Sequence, residues 1–468
     1  MLDPGRRRTS GSATARRRPG PPARLRPAQA VVAGFALAVV AGTVLLMLPV
    51  ARAGGGSAGL LQALFTATSA VCVTGLVVVD TPTYWSGSGQ VVILVLIQVG
   101  GFGIMTLASL LGLLISHRLG LRSRLTAAAE TKSLSLGDVR TVVVGIVRVS
   151  LAVEAVVAAV LAVRFATAYD EPFWRSVWLG VFHSVSAFNN AGFALYSDSL
   201  IGFATDAWIC LPIVAALVVG GLGFPVLFEL RRAYRRPLRG RARTGLSMHS
   251  KVTLWGTAVL LLCGTLFVLV AEWRNPGTLG PLSVPGKLLA GFVQGAMPRT
   301  AGFNSVDIAQ MNTGTWLGTD VLMFIGGGSA GTAGGIKVTT FFVLLFVIRS
   351  EVRGDDDSTA FGRRIPTGTQ RQAMTVALLG IAAVVVPALV FAMTTPFSLD
   401  QVLYEVVSAF ATVGLSTGIT AQLPAPHQLV LVFLMFLGRL GPVTLATALA
   451  LRHRERLYRL PEERPVIG

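Results

Sequence analysis

Charge is what this chain has little of. Lys, Arg, Asp and Glu make up 13% of its 468 residues, about half the share found in soluble globular domains. So few charges cannot cover a water-exposed surface, which excludes an ordinary soluble enzyme or adaptor. Histidine and cysteine are scarce too, at five and three. Cys72, Cys210 and Cys263 sit in apolar surroundings, at spacings that fit neither a disulfide framework nor a zinc site, and read as reduced packing residues. There is no H-E-x-x-H motif, and neither paired aspartates on facing apolar runs nor a Ser–His pair. His183 stands alone, and His117, His249, His427 and His453 lie near the ends of apolar runs. No enzyme is expected, and no covalent cofactor.

What the chain has instead is apolar length. Mean hydropathy is +0.67. Runs long enough to cross a bilayer, about 20 residues each, cover 28–50, 90–116, 141–168, 206–229, 252–271, 319–348, 373–394 and 427–450. The expected class is an all-α integral membrane protein with eight spans. The stretches between spans are too short to hold a soluble domain.

The net charge of +18 could point to nucleic acid, but its placement does not. The tails before residue 28 and after residue 450, with loops 117–140, 231–251 and 349–371, hold 31 of the 40 Lys and Arg. The alternate segments 51–89, 169–205, 272–318 and 395–426 hold five. This is the positive-inside pattern, with both tails cytoplasmic and the chain in the cell membrane. The charge is a topology signal, and no nucleic-acid partner is expected. The Arg/Pro/Gly-rich tail 1–27 reads as disordered. It resembles a twin-arginine signal only superficially, because the run after it is long enough to span.

The outer segments repeat. LLQALFTATSAVCVTGLVVVD (60–80), FWRSVWLGVFHSVSAFNNAGFAL (173–195), PGKLLAGFVQGAMPRTAGFNSVD (285–307) and LDQVLYEVVSAFATVGLSTGI (399–419) each carry about three turns of amphipathic helix, then Gly followed by Leu or Phe. The glycines are Gly75, Gly192, Gly302 and Gly414, separated by 117, 110 and 112 residues. That is an internal repeat of span, half-helix, glycine turn and span. Its units run 28–116, 139–230, 251–350 and 371–450, flanked by the tails 1–27 and 451–468. Irregular backbone at membrane depth survives only when buried or lining water. Four re-entrant loops around one axis would line such a path with carbonyls, glycine supplying the dihedrals. Half-helices entering from outside point the negative ends of their dipoles inward, which favours a cation. The bland alternative is that these glycines only let helices pack.

The segment FIGGGSAGTAGGIKVTTFF (324–342) has six glycines within residues 326–335. Each costs a helix interior about 1 kcal/mol against alanine, so the helix should break. GGGSAG fits G-x-G-x-x-G, but no βαβ unit can form here. Lys337 does not directly follow Gly335, so a phosphate-cradling loop fails as well. Arg439 lies inside an apolar run, where a charge normally faces a polar interior.

LFTATSAVCVTGLVVVD (64–80), SAFNNAGF (186–193), PRTAGFN (298–304) and MFLGRLGPVT (435–444) together resemble the Trk/Ktr/HKT superfamily of potassium transporters, and are closer to the Ktr branch than to the longer Trk branch. The resemblance runs from about residue 28 almost to the end. It implies four helix–pore loop–helix units around one pore. The filter positions it implies are Val73, Thr74, Gly75, Asn190, Ala191, Gly192, Thr300, Ala301, Gly302, Thr412, Val413 and Gly414, with potassium as the ion held there. Plant-type relatives can carry Ser at the first filter glycine; Gly75 here favours potassium.

The same resemblance implies an intramembrane gate below the filter. It maps to Gly326, Gly327, Gly328, Ser329, Gly331, Thr332, Gly334, Gly335 and Lys337, with Arg439 on the last pore-lining helix close by. Arg439 could bond loop carbonyls, raise an electrostatic barrier, or only pair with a buried carboxylate. Asp80 is expected at the outer mouth or as a cap. Glu154 is a functional candidate or a structural hydrogen-bonding partner. Glu405 adds negative charge near the vestibule, and Arg299 is expected to clamp carbonyls behind the filter. The branch implies a homodimer, a cytosolic nucleotide-binding regulatory subunit (KtrA/TrkA-like) and stimulation by sodium, for which these residues show no site. Loops 117–140 and 231–243 could meet that subunit or anionic membrane lipid. The competing reading is a secondary transporter with discontinuous helices. Such folds usually carry two repeats, and the fourfold glycine pattern opposes that.

Overall fold

The computed structural model describes residues 27–118, 136–235 and 245–441. The tail 1–26, most of loop 117–140, residues 236–244, the end of the fourth unit from 442 and the tail 451–468 lie outside the described residues.

Each unit is built on one plan. The first is α1 (Pro27–Met47), α2 (Leu60–Val71) and α3 (Gly87–Arg118). The second is α4 (Leu136–Ala168), α5 (Phe173–Phe188), then α6 (Ala207–Leu222) and α7 (Phe224–Arg235). The third is α8 (Met248–Glu272), α9 (Val284–Ala296), then α10 (Thr313–Phe324) and α11 (Val338–Arg353). The fourth is α12 (Thr367–Thr394), α13 (Leu399–Ala411) and α14 (Ala425–Leu440). The half-helices α2, α5, α9 and α13 are 12 to 16 residues long, too short to span. Each packs against the long helix before it. Their outer turns leave Leu60, Phe173, Val284 and Leu399 exposed. Their final turns are buried on every side, through Ala67–Val71 in α2 and Tyr404–Ala411 in α13. A helix apolar on one face near water and buried all round at its tip is one that plunges into the protein.

Among the described residues, Val143–Ala168, α8 and α12 are single helices long and apolar enough to cross a membrane. The pair α6–α7 passes as one unit bent by 99°, so the straight span expected at 206–229 is two helices. The bend falls at Gly223, whose φ is +88°. A Cβ there would overlap the Ser329 carbonyl, so the third unit's glycine segment packs directly against the bend. Pro225 then sits in the first turn of α7, where a missing N–H costs nothing. In the eighth run, the helix ends at Leu440 and Gly441 caps it with φ +83°. The sixth is broken: α10 stops at Phe324, α11 starts at Val338, and a bridge between Ile325 and Ile336 with a bond from Val338 N to the Gly327 oxygen (3.0 Å) ties the ends together. Between α11 and α12 a small hairpin pairs β1 (Thr359–Ala360) with β2 (Arg363–Arg364).

Candidate functional site

The four half-helix tips converge, and each passes into a strained tripeptide. Val73, Asn190, Thr300 and Thr412 have φ of 55°, 60°, 67° and 51°. Two residues on, Gly75, Gly192, Gly302 and Gly414 have φ of 92°, 71°, 71° and 94°. Left-handed residues at the first and third positions turn neighbouring carbonyls toward one side instead of alternating them. Glycine takes this dihedral freely. Val73, Thr300 and Thr412 are β-branched, and a left-handed φ costs such residues on the order of 1–3 kcal/mol each. That strain persists only where the surroundings impose it.

The glycines close a ring. A Cβ on Gly302 would fall 2.6 Å from the Val413 carbonyl oxygen, and one on Gly192 would fall 2.6 Å from the Gly302 Cα and 2.8 Å from the Ala301 oxygen. At Gly75 and Gly414 the overlap is closer still, with the oxygens of Ala191 and Thr74. Each unit therefore packs its glycine against the carbonyl of the next, and the fourth meets the first. The flanking side chains of Val73, Thr74, Asn190, Ala191, Thr300, Ala301, Thr412 and Val413 are all buried.

Hydrogen bonds lock each tripeptide to its own half-helix. Gly75 N donates to Ser69 Oγ (3.0 Å) and Gly414 N to Ser408 Oγ (3.1 Å). Ser186, at the matching place, donates to the Phe193 carbonyl (2.8 Å). The segment leaving the tripeptide is held as well in the second, third and fourth units. Leu195 N donates to His183 Nε2 (3.3 Å), Ser305 N to Gln294 Oε1 (3.1 Å) and Thr417 N to Glu405 Oε1 (2.9 Å). In each case the donor lies three residues past the glycine. Three chemistries perform one task. His183 Nδ1 is 2.8 Å from the Leu179 oxygen, so the ring is neutral, donating there and accepting from Leu195. Sequence reasoning treated His183 as solitary, read Glu405 as vestibule charge, and missed Gln294. The available signal was a polar residue eight or nine positions before the glycine.

The broken segment lies against these tripeptides. Thr332 Oγ1 is 2.6 Å from the Asn190 side chain. A Cβ on Gly334 would overlap Thr412 Oγ1, and Gly335 adjoins Ala411. Gly327, Gly328 and Gly331 pack on carbonyls of Gly220, Gly221 and Leu222. Three cations hold the segment, Arg299 and Arg439 buried and Lys337 half-buried. Arg299 donates to the Gly326 oxygen (3.1 Å). Arg439 donates to the Thr332 oxygen, and through its other terminal nitrogen to the Gly100 oxygen (3.2 Å). Lys337 Nζ folds back on the Ala333 oxygen (2.6 Å). Ser329 faces Thr339 (3.1 Å). An arginine at bilayer depth costs about 2.5–3.5 kcal/mol. Hydrogen bonds to a charged group return about 1.5–3 kcal/mol each, so Arg439's two carbonyls are enough to hold it there. No carboxylate pairs with it among the described residues.

The remaining candidates tie units together. Asp80 starts a short helical turn and accepts from Thr83 (2.6 Å) and from Ser197 of the second unit (2.8 Å). Glu154 accepts from Gln98 Nε2 (3.0 and 3.1 Å) and Asn189 (3.2 Å), directly behind Asn190. The described residues contain no cluster of three or more His, Cys, Asp and Glu suited to a metal ion.

A family model described as TrkH, cation transport protein, matches residues 10–457. The chain is 39% identical over 434 residues to Ktr system potassium uptake protein B of Bacillus subtilis, covering 91% of this chain and 94% of that protein. It is 37% identical to the Vibrio alginolyticus protein of the same name, covering 94% of each. It is 34% identical to the potassium/sodium uptake protein NtpJ of Enterococcus hirae, covering 95% of this chain and 98% of that one. In fold it is similar to the potassium transporter TrkH from Vibrio parahaemolyticus, with a TM-score of 0.68 over 90% of this chain and 84% of that one, at 18% identity.

Proposed function

The chain belongs to the TrkH family of cation transport proteins, and from that premise we propose that it is the membrane subunit of a potassium uptake system. The glycine ring is the selectivity filter. Carbonyls of Val73–Gly75, Asn190–Gly192, Thr300–Gly302 and Thr412–Gly414 replace the hydration shell of potassium, and half-helix dipoles add negative potential at the same level. The observation that carries this reading is the closed packing of four left-handed glycines, each on the carbonyl of the next unit. Asp80 gathers cations at the outer mouth. Residues 326–337 are the gate. Arg439, Arg299 and Lys337 hold it closed by bonding its carbonyls.

Both tails face the cytoplasm, as the basic loops require. The Ktr-system names of its relatives support a multi-component system. In it, a cytosolic nucleotide-binding subunit drives the gate of a homodimer, and sodium acts as an activator.

The test is rubidium uptake and potassium-dependent growth in cells lacking their own potassium uptake systems, with the regulatory subunit supplied. Wild type should support both. Gly302→Ser should keep uptake but lose preference for potassium over sodium. Unchanged selectivity in that variant would place the filter elsewhere. No wild-type uptake would overturn the potassium reading in favour of a transporter for another solute.

A further inference from the structure

The contact between α10 and α13 holds polar groups that neither the ring nor the gate uses. Asp320 of α10 is 6% exposed, and its Oδ1 has no hydrogen-bonding partner among the described residues. Trp316 lies one turn earlier on the same helix, and its ring packs on Tyr404 of α13 with centroids 6.5 Å apart. Residues four apart share a helix face, so Tyr404 and Asp320 meet the same interface. Tyr404 is fully buried, and its hydroxyl is also without a partner among the described residues. Glu405 beside it is fully buried but satisfied, by Ser416 (2.5 Å), Thr417 N (2.9 Å) and Thr420 (2.7 Å).

The charges bearing on Asp320 are those of Glu405 and Asp400, both negative. None of these acids is in a salt bridge among the described residues. A buried carboxylate must be neutralised by a partner, a proton or an ion. The free donors are one carboxylate and one phenolic oxygen. Hard oxygen donors suit hard cations. A single free carboxylate supplies one charge, too little for a divalent ion that demands six or more oxygens.

We propose that Asp320, with the Tyr404 hydroxyl, binds sodium in preference to potassium at the α10–α13 interface, away from the glycine ring. The ion would link α10, which leads into the gate, to the half-helix that delivers Thr412–Gly414. Occupancy would brace the fourth side of the ring, so this site would regulate transport without lying on the ion path. Binding at Asp320 does not require the potassium reading, and the test reads binding itself.

The test measures thermal unfolding of the full-length protein in detergent. Potassium is kept constant and saturating, sodium chloride is titrated in, and N-methylglucamine chloride holds ionic strength. A ligand that binds only the folded state raises Tm in a saturable way. The expected result is a saturable rise for wild type and its loss in Asp320→Asn. Tyr404→Phe should need roughly tenfold more sodium for the same rise, equivalent to losing one ligand. The phenylalanine variant decides the matter if the asparagine variant does not fold. An equal sodium response in Asp320→Asn, or no response in wild type, overturns the proposal. A wild type that ignores sodium but responds to pH, with that response gone in Asp320→Asn, assigns a buried proton and overturns it too.

Discussion

At Gly414 a single methyl group has nowhere to go. Its Cβ would overlap the Thr74 carbonyl, and Gly75 is as tight against Ala191, whereas Gly302 has 2.6 Å to Val413. Both strain and collision act, the dihedral alone costing about 1–2 kcal/mol. Gly414→Ala and Gly75→Ala should therefore abolish rubidium uptake, while Gly302→Ala keeps a measurable fraction; equal losses at all three would contradict the packing order. These glycines were legible in the sequence because four copies fall in register. The residues that brace them were not. His183, Gln294 and Glu405 share no chemistry, and a repeat detected by residue type cannot see a task defined by hydrogen-bond acceptance. Glu405→Gln removes a charge but keeps an acceptor for Thr417 N. It should retain more uptake than Glu405→Leu, compared at matched abundance.

The helices show where a pattern of residues underdetermines shape. Glycines 326–335 foretold a break, and the helix stops at Phe324. The bend at Gly223 is written as Gly-Phe-Pro, but an apolar run hides it, since the segment that packs against it belongs to another unit. A second set of glycines acts between helices. Gly100, Gly220 and Gly438 lie on α3, α6 and α14, and a Cβ on each would overlap the carbonyl of Val71, Phe188 or Phe410, at the tips of α2, α5 and α13. Gly438→Ala should shift α13 outward and cut uptake without removing any residue of the ring.

The bonds that hold segment 326–337, the proposed gate, can be separated at this scale. Arg439→Ala deletes two hydrogen bonds to carbonyls, about 1.5–3 kcal/mol each. It should raise flux per molecule about tenfold or more in the absence of the regulatory subunit. Lower abundance with unchanged unit flux would mean that Arg439 only supports the fold. Thr332→Val breaks the contact with Asn190 and should raise flux in the same direction. Asymmetry between the units behind the ring was less legible: the third lacks the serine that backs Gly75 and Gly414, carrying Ala296 at that place.

For the whole molecule, composition spoke most clearly. Low charge and alternating basic loops fix a multi-pass membrane chain before any motif is read. The orientation can be checked with reporters fused after residue 468: a fluorescent protein should be bright and a periplasmic phosphatase silent. The ring adds a constraint in time. A ribosome delivers the four units in order, and three of the ring's contacts can form as each new unit arrives. The last cannot. Gly414 must find Thr74, and Arg439 must find Gly100, a partner 339 residues away. Until the fourth unit is inserted, the nascent protein is an open arc with no walled path through it. The ring, and with it the ion path proposed above, is thus complete only once the fourth unit has brought both Gly414 and Arg439 into place.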